Sequence, residues 1–416
     1  MDAAMLRRLF EETINIRDGE VASYIPQLAN VNPDLYGVCF CDTRGNLNCC
    51  GDVDTEFCLQ SCSKPLTYCV ARTLRGDMVH QHVGYEPSGR AFNAHVLNDA
   101  GLPHNPLINA GAIVTASLVD PESEPAKRFE TVINMYQRIG TGPIGFQTSV
   151  YLSERQHADR NTSLAWFMRE SGAFEGRPDH ERMQQHLDLY YQLCSVSVTC
   201  KVAAVMAATL ANGGTNPVTS EKVLDDQIVT DAQCLMYGCG MYDWSGQFGF
   251  EIGLPAKSGV SGCLMLVIPG VGGICTFSPR LDRNGNSVRG VAFCQAFSRA
   301  THSRFHVFHS VTSAHTEGTT LQRAIQAAAE GDVETLRKIE PANLNKGDYD
   351  GRTPLHLAAA EGQRDAVEFL LRAGVHREPK DRWGTTPEHE ARQNGHSSVE
   401  ALFTLTVTRV QSESVP

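Results

Sequence analysis

"FCLQSCSKPLTYCVA", residues 57–71, sets Ser61 three places ahead of Lys64 at the start of an apolar, helix-patterned run. One reading is local: Ser61 caps the helix and Lys64 is a solvated first-turn residue. The other is chemical: a hydroxyl nucleophile stands beside an amine that takes its proton. Residues i and i+3 of a helix are neighbours, so the two side chains can meet. Pro65 donates no N–H and is tolerated only near a helix start, which places Ser61 at the N-terminal end. Free backbone N–H groups and the helix dipole favour developing negative charge there. The N–H of Ser61 itself can therefore serve an oxyanion.

A second element sharpens the choice. "PAKSGVSG", residues 255–262, opens a strand-like run with the triplet Lys257-Ser258-Gly259. Penicillin-recognising serine enzymes combine S-x-x-K with a Lys-Thr/Ser-Gly triplet on an edge strand. In that arrangement Gly259 lets substrate approach the strand backbone, and the N–H of Val260 is the second oxyanion donor. "LYGVCFC" (35–41), the turn "DTRGN" and a following run read as two early strands. "KSGVSGCLMLVIPG", "GGICTFSP" and "SVRGVAFCQAF" read as three late ones, with Asn284-Gly285 as a hairpin turn. The stretches between, such as "AKRFETVINMYQRIG" and "CKVAAVMAATLANGG", are helical in pattern. Strands distant in sequence that form one antiparallel sheet predict an α+β fold with a helical insertion over residues 1–298.

The tail carries a different signal. Thr353 of "GRTPLHLAAAEGQRDAVEFLLRAG" and Thr386 of "WGTTPEHEARQNGHSSVEALF" are 33 residues apart, and TPLH-x-A is an ankyrin signature. A degenerate copy begins near residue 319, so residues 319–410 read as two to three ankyrin repeats, an all-α stack. So few repeats bury little core, and they are expected to lean on a neighbour. Residues 299–318, polar and containing His302, His306, His309 and His315, read as a linker. His306 and His309 have helical spacing, but no acidic or cysteine partner accompanies them, so a solvated connector is preferred to a metal site.

Composition excludes other classes. The 416-residue chain is 42% hydrophobic and 20% charged with a net charge of −11, a poor match to nucleic acid or an anionic membrane. No apolar run is long enough for a membrane span. All 14 cysteines lie between Cys39 and Cys294, and no two have C-x-x-C spacing. They read as mostly buried, reduced thiols of an intracellular protein. The start, "MDAAMLRRLFEETINIRDGE", lacks a secretory h-region and the acid-poor look of a transit peptide, so the chain reads as cytoplasmic as written.

With "YIPQLA" (24–29), "EPSG" (86–89), "PHNPLINAGAI" (103–113), "SERQHADRN" (153–161), "YYQLCSVSVTC" (190–200), "CGMYDWSGQFGF" (239–250) and "GLPAKSGVSG" (253–262), the chain resembles the serine-dependent glutaminases. The ankyrin tail makes it similar to the animal kidney and liver types. The resemblance implies a β-lactamase-like fold and hydrolysis of L-glutamine to L-glutamate and ammonia without a cofactor or metal. It implies Ser61 as nucleophile, Lys64 as its activating partner, and Tyr242 and Tyr190 as active-site tyrosines. Tyr24, Asn109, Glu154 and Asn161 are then the positions that hold the amino-acid end of glutamine, and Val260 the oxyanion residue. A carboxylate suits the α-ammonium, and tyrosine and asparagine donors suit the α-carboxylate. Taken singly, Asn161 also reads as a cap, Glu154 as a surface acid and Tyr190 as core packing. Their joint occurrence in order favours the site.

The resemblance further implies a homotetramer, activation by inorganic phosphate and a mitochondrial location. Ankyrin repeats imply a protein partner. The loop "GRAFNAHVLNDAGLPHNP" (89–106) departs from the kidney type at His95-Val96-Leu97, as does Phe167 at an interface tyrosine, which argues against kidney-type control. Two rival functions have sequence arguments against them. A β-lactamase or penicillin-binding hydrolase lacks its S-D-N element here, and a non-catalytic ankyrin scaffold would not retain Ser61, Lys64, Tyr190 and Tyr242 together. Chemically, the reading needs a base, because holding an ordinary lysine neutral near pH 7 costs on the order of 4 to 5 kcal/mol. Burial and the Lys257 cation are expected to lower that cost for Lys64, with Tyr242 as a second proton path.

Overall fold

The computed structural model describes residues 1–91, 93–301, 305–306 and 318–405. Two compact units emerge, Met1–Phe308 and His309–Pro416. Most of the expected linker, including His302, His309 and His315, lies outside the described residues, as do positions 406–410 of the expected repeats.

In the first unit the strands are β1 (Gly37–Asp42), β2 (Leu47–Gly51), β3 (Phe57–Cys58), β4 (Gly145–Phe146), β5 (Val196–Val198), β6 (Ala256–Ser258), β7 (Cys263–Ile268) and β8 (Gly272–Phe277). Five form an antiparallel sheet in the order β2-β1-β8-β7-β6, and β3-β5-β4 form a small second sheet. Early and late strands meet at the β1–β8 pairing, where Cys39 faces Cys275. The predicted union of sequence-distant strands around a helical insertion is therefore present.

Every residue of β7 and β8 is buried, because helices cover both faces. Alternation decides which side chain goes where. Val38, Phe40, Leu264, Leu266 and Ile274 pack with Leu6, Leu9, Phe293 and Phe297 of the two terminal helices. Cys39, Cys263, Met265 and Cys275 point the other way, into the core that holds helix Cys200–Ala211. That helix lies close to the sheet because β8 has glycine at 273, where a Cβ would come within 2.3 Å of the Ala208 nitrogen.

One expected strand is instead a helix. "SVRGVAFCQAF" belongs to Val288–Ala300. The Asn284-Gly285 turn closes only a single bridge, Leu281 to Ser287, and the Ser287 side chain then caps the helix by accepting from Gly290 N–H. Buried Phe293, Cys294 and Phe297 follow helical spacing, which a short apolar run does not distinguish from a strand. The cysteines hold one exception to the reduced state: Cys39 and Cys49, opposite each other on β1 and β2, are bonded.

The second unit is a stack of helix pairs, including Pro354–Ala360 with Arg364–Arg372 and Pro387–Gln393 with Ser397–Leu405. The TPLH motif works locally. His356 Nδ1 accepts from Thr353 N–H at 3.0 Å, and its Nε2 lies 3.0 Å from the Thr385 carbonyl oxygen of the next repeat. Small residues such as Ala358, Ala359 and Ala391 let the helices close on a shared core with Leu355, Leu370 and Val399.

Candidate active site

Ser61 does not cap the helix. It sits in a 3₁₀ turn, Gln60–Cys62, that leads into helix Ser63–Arg75, and Cys62 occupies the cap position without a side-chain bond. Gln60 is held at φ 48°, a left-handed conformation costly for a residue with a side chain. The kink presents Ser61 beside β6. There Gly259 passes so near that a Cβ would stand 2.8 Å from the Leu59 carbonyl oxygen. The glycine expected to admit substrate thus makes room for the nucleophile turn.

Around Ser61 the fold gathers residues from five segments. Tyr242, also left-handed at φ 55°, directs its hydroxyl at the Ser61 side chain. Its ring rests on Lys257, whose Nζ is 4.5 Å from the ring centroid and donates to the carbonyl oxygens of Gly240 and Ser258 at 3.0 and 2.7 Å. Lys64 is buried, donates to Asn109 Oδ1 at 2.7 Å and lies 5.9 Å from the centroid of Tyr190. Asn109 passes the contact on, its amide donating to Asn161 Oδ1 at 3.0 Å. Helix Asn109–Ser117 carries this asparagine at its first position, and helix Asp159–Glu170 carries Asn161 in its first turn.

A second group surrounds a carboxylate. Glu154 Oε1 accepts from the Tyr24 hydroxyl at 2.7 Å and from the Gln60 amide at 3.0 Å. Tyr24 is 47% exposed overall, yet its hydroxyl is turned inward onto Glu154. Val260 packs with Ile25, Leu28, Cys58 and Val150. Among the described residues, neither the Ser61 nor the Val260 N–H has a backbone acceptor. All nine residues expected at the site therefore fall on these segments. Gln60 was overlooked: buried and bonded to both Tyr24 and Glu154, it gave no sequence signal beyond adjacency to Ser61.

Electrostatics follow from burial. Lys64 is lowered to about 7, first by desolvation and then by the Lys257 charge. Lys257 falls to about 8, chiefly by desolvation. Burial raises Tyr242 and Tyr190, so both phenols keep their protons. Burial also raises Glu154, against the hydrogen bonds of Tyr24 and Gln60 and the Lys64 charge. Among the described residues no cluster of three or more His, Cys, Asp or Glu could hold a metal. No described helix is long and apolar enough to cross a membrane.

Comparison with known proteins agrees with this geometry. A family profile described as glutaminase matches residues 19–308, and one for ankyrin repeats (3 copies) matches residues 324–410. The chain is 45% identical over 420 residues to putative glutaminase 2 of Caenorhabditis elegans, covering 97% of this chain and 69% of that protein. It is 43% identical over 412 residues to the rat (Rattus norvegicus) mitochondrial liver glutaminase isoform, covering 95% and 68%. Among solved structures, probable glutaminase ybaS superposes with a TM-score of 0.69 at 33% identity, over 73% of this chain and 98% of that one. The fold is accordingly the β-lactamase-like α+β arrangement followed by ankyrin repeats, and the chain belongs to the glutaminase family, hydrolases that convert L-glutamine to L-glutamate and ammonia.

Proposed function

We propose that this chain hydrolyses L-glutamine through a γ-glutamyl ester on Ser61. The observation that carries the proposal is the Tyr242 hydroxyl at the Ser61 side chain, with Lys64 buried in the first turn of the helix that follows and lowered to about 7. At that value the energetic obstacle to a neutral amine near pH 7 is largely gone. Ser61 Oγ attacks the side-chain amide carbon while Lys64 takes its proton. The N–H groups of Ser61 and Val260, which have no backbone acceptor among the described residues, bind the oxyanion. The C–N bond then breaks as Tyr242, still protonated, hands a proton to the leaving nitrogen, and ammonia departs. Lys64 reprotonates Tyr242. Water next attacks the ester with Lys64 as base, the C–Oγ bond breaks as Lys64 returns that proton to Ser61, and glutamate leaves.

Substrate selection follows from the second group. Glu154 is a buried carboxyl whose donors, Tyr24 and Gln60, are both neutral, so the α-ammonium of glutamine can supply its counter-charge. Asn109, Asn161 and Tyr190 gather around Lys64 and supply amide and hydroxyl groups for the α-carboxylate. The test is ammonia release from glutamine, with asparagine as control, for the native chain and Ser61→Ala. Release from glutamine alone, lost in the variant, is expected. Undiminished release by the variant refutes the assignment.

Finer features rest on the relatives. We infer a homotetramer and activation by inorganic phosphate, as the resemblance to the animal glutaminases implies, a mitochondrial site of action, supported by the similarity to the mitochondrial liver isoform, and a protein partner for the repeats. A fully active monomer in light scattering would refute the first. Turnover that does not respond to phosphate would refute the second.

A further inference from the structure

A cavity of about 220 Å³ has no role in the steps above, yet it shares its walls with the substrate cradle. Gln27 and Leu28 follow Tyr24 on one wall, and Cys58 precedes Gln60 and Ser61 on another. Val150 lies one turn before Glu154 on helix Thr148–Gln156, and Ser261 follows Val260. The apolar floor is Leu28, Val150 and the stacked pair Phe57 and Phe277, whose centroids are 4.4 Å apart.

Three polar groups at this cavity can accept a hydrogen bond. Ser261 is 5% exposed, and its buried hydroxyl has no hydrogen-bond partner among the described residues. Gln27 Oε1 is likewise buried and unpartnered. Glu56 lines the rim, its carboxylate receiving only neutral donors, Ser197 Oγ at 3.2 Å and Gln147 Nε2 at 3.5 Å. An unpaired buried acceptor is costly, and a primary ammonium offers three donors to satisfy three acceptors. At roughly 10 to 15 Å³ for each water-sized group, the volume is ample for about ten non-hydrogen atoms.

We propose that this cavity is a regulatory site for a small amphipathic amine, its ammonium on Gln27, Ser261 and Glu56 and its apolar tail on Leu28, Val150 and Phe57. Occupancy braces the walls that carry Tyr24, Glu154 and Val260, so glutamine binds more tightly in its presence. By linkage, a glutamine analogue tightens amine binding by the same factor. The inference rests on the assignment of those three residues to substrate binding.

The probe is 2-phenylethylammonium, with 2-phenylethanol and 3-phenylpropionate as neutral and anionic controls, added to the full chain. Calorimetry without glutamine reads amine binding, and the Glu56 and Gln27 variants assign it to the cavity rather than to Glu154. Saturable one-site binding is expected, at least fivefold weaker in Glu56→Gln and in Gln27→Leu, with neither control binding comparably. Ammonia-release kinetics at saturating amine should show KM lowered at least twofold with kcat little changed. Absence of saturable binding, equal binding of the controls, affinity unmoved in both variants, or an unchanged KM overturns the proposal. Both variants lie outside the proposed catalytic and glutamine-binding groups, so retained basal turnover verifies their folding. Failure of the underlying assignment is distinguishable, because it would appear as an unchanged KM in Glu154→Gln without amine.

Discussion

Lys64 and Asn109 meet across two helices, Nζ donating to Oδ1 at 2.7 Å, and Asn109 is itself held by Asn161 at 3.0 Å. The relay fixes an amine that would otherwise rotate freely on a four-carbon stem. In the proposed mechanism the nitrogen held this way is the base for Ser61.

Replacing the amine should remove the base while the walls stay. Lys64→Met is expected to lower kcat by about 10²- to 10⁴-fold, the usual worth of a positioned general base. Ammonia release under saturating glutamine measures it, and near-normal turnover would pass the role to Tyr242.

The pH profile should depend on a residue that does not touch Ser61. Lys64 is lowered first by burial and second by the charge of Lys257. Because the base works when neutral, kcat/KM rises with pH through the Lys64 titration at about 7. Removing the second cation in Lys257→Met raises that value, so the acidic limb should move to higher pH. A limb that stays in place excludes electrostatic coupling between the two lysines.

Stability should move opposite to activity. Lys64 titrates near 7 in the fold and roughly 10.4 when unfolded, so the unfolded chain binds more protons in between. The folded state therefore carries a penalty that is complete below pH 7, fades as pH rises toward 10.4 and vanishes above it. Lys64→Met should be the more stable protein at pH 6.5, by up to about 5 kcal/mol, with the gap closing toward pH 10. Urea titrations at several pH values check the sign.

Glu154 should govern affinity more than rate. Glu154→Gln keeps a hydrogen-bonding side chain but loses the charge for the α-ammonium. KM for glutamine is expected to rise at least tenfold with a smaller change in kcat. Initial-rate kinetics separate the two, and an unchanged KM would assign the ammonium elsewhere.

In the repeat unit, His356 is fully buried and ties Thr353 to Thr385. His356→Ala should cost this unit about 1 to 3 kcal/mol, since it strands Thr353 N–H and the Thr385 carbonyl oxygen. Hydrogen exchange at residues 353–386 reports it; unchanged protection would show that helix packing alone holds the repeats.

Much of this molecule was legible along the chain because the signals are local. The Ser61, Lys64 and Pro65 spacing placed a serine at a helix start, and the TPLH period located the tail. Apolar runs bounded by turn residues disclosed β7 and β8, while the same apolar content in residues 288–297 suggested a strand where a serine cap and helical spacing produce a helix. Gln60 left no trace, since its conformation and its two partners exist only once Tyr24 and Glu154 arrive.

Motifs and their spacing are enough to name the candidate reagents, a hydroxyl, an amine and a carboxylate, and to locate the repeats that follow. Their strength comes from packing. Lys64 is lowered to about 7, where the proposed base would work, because residues far away in the chain exclude water from it and set Lys257 nearby. Desolvation and the field of a distant charge are properties of packed atoms, and no spacing along a chain encodes them.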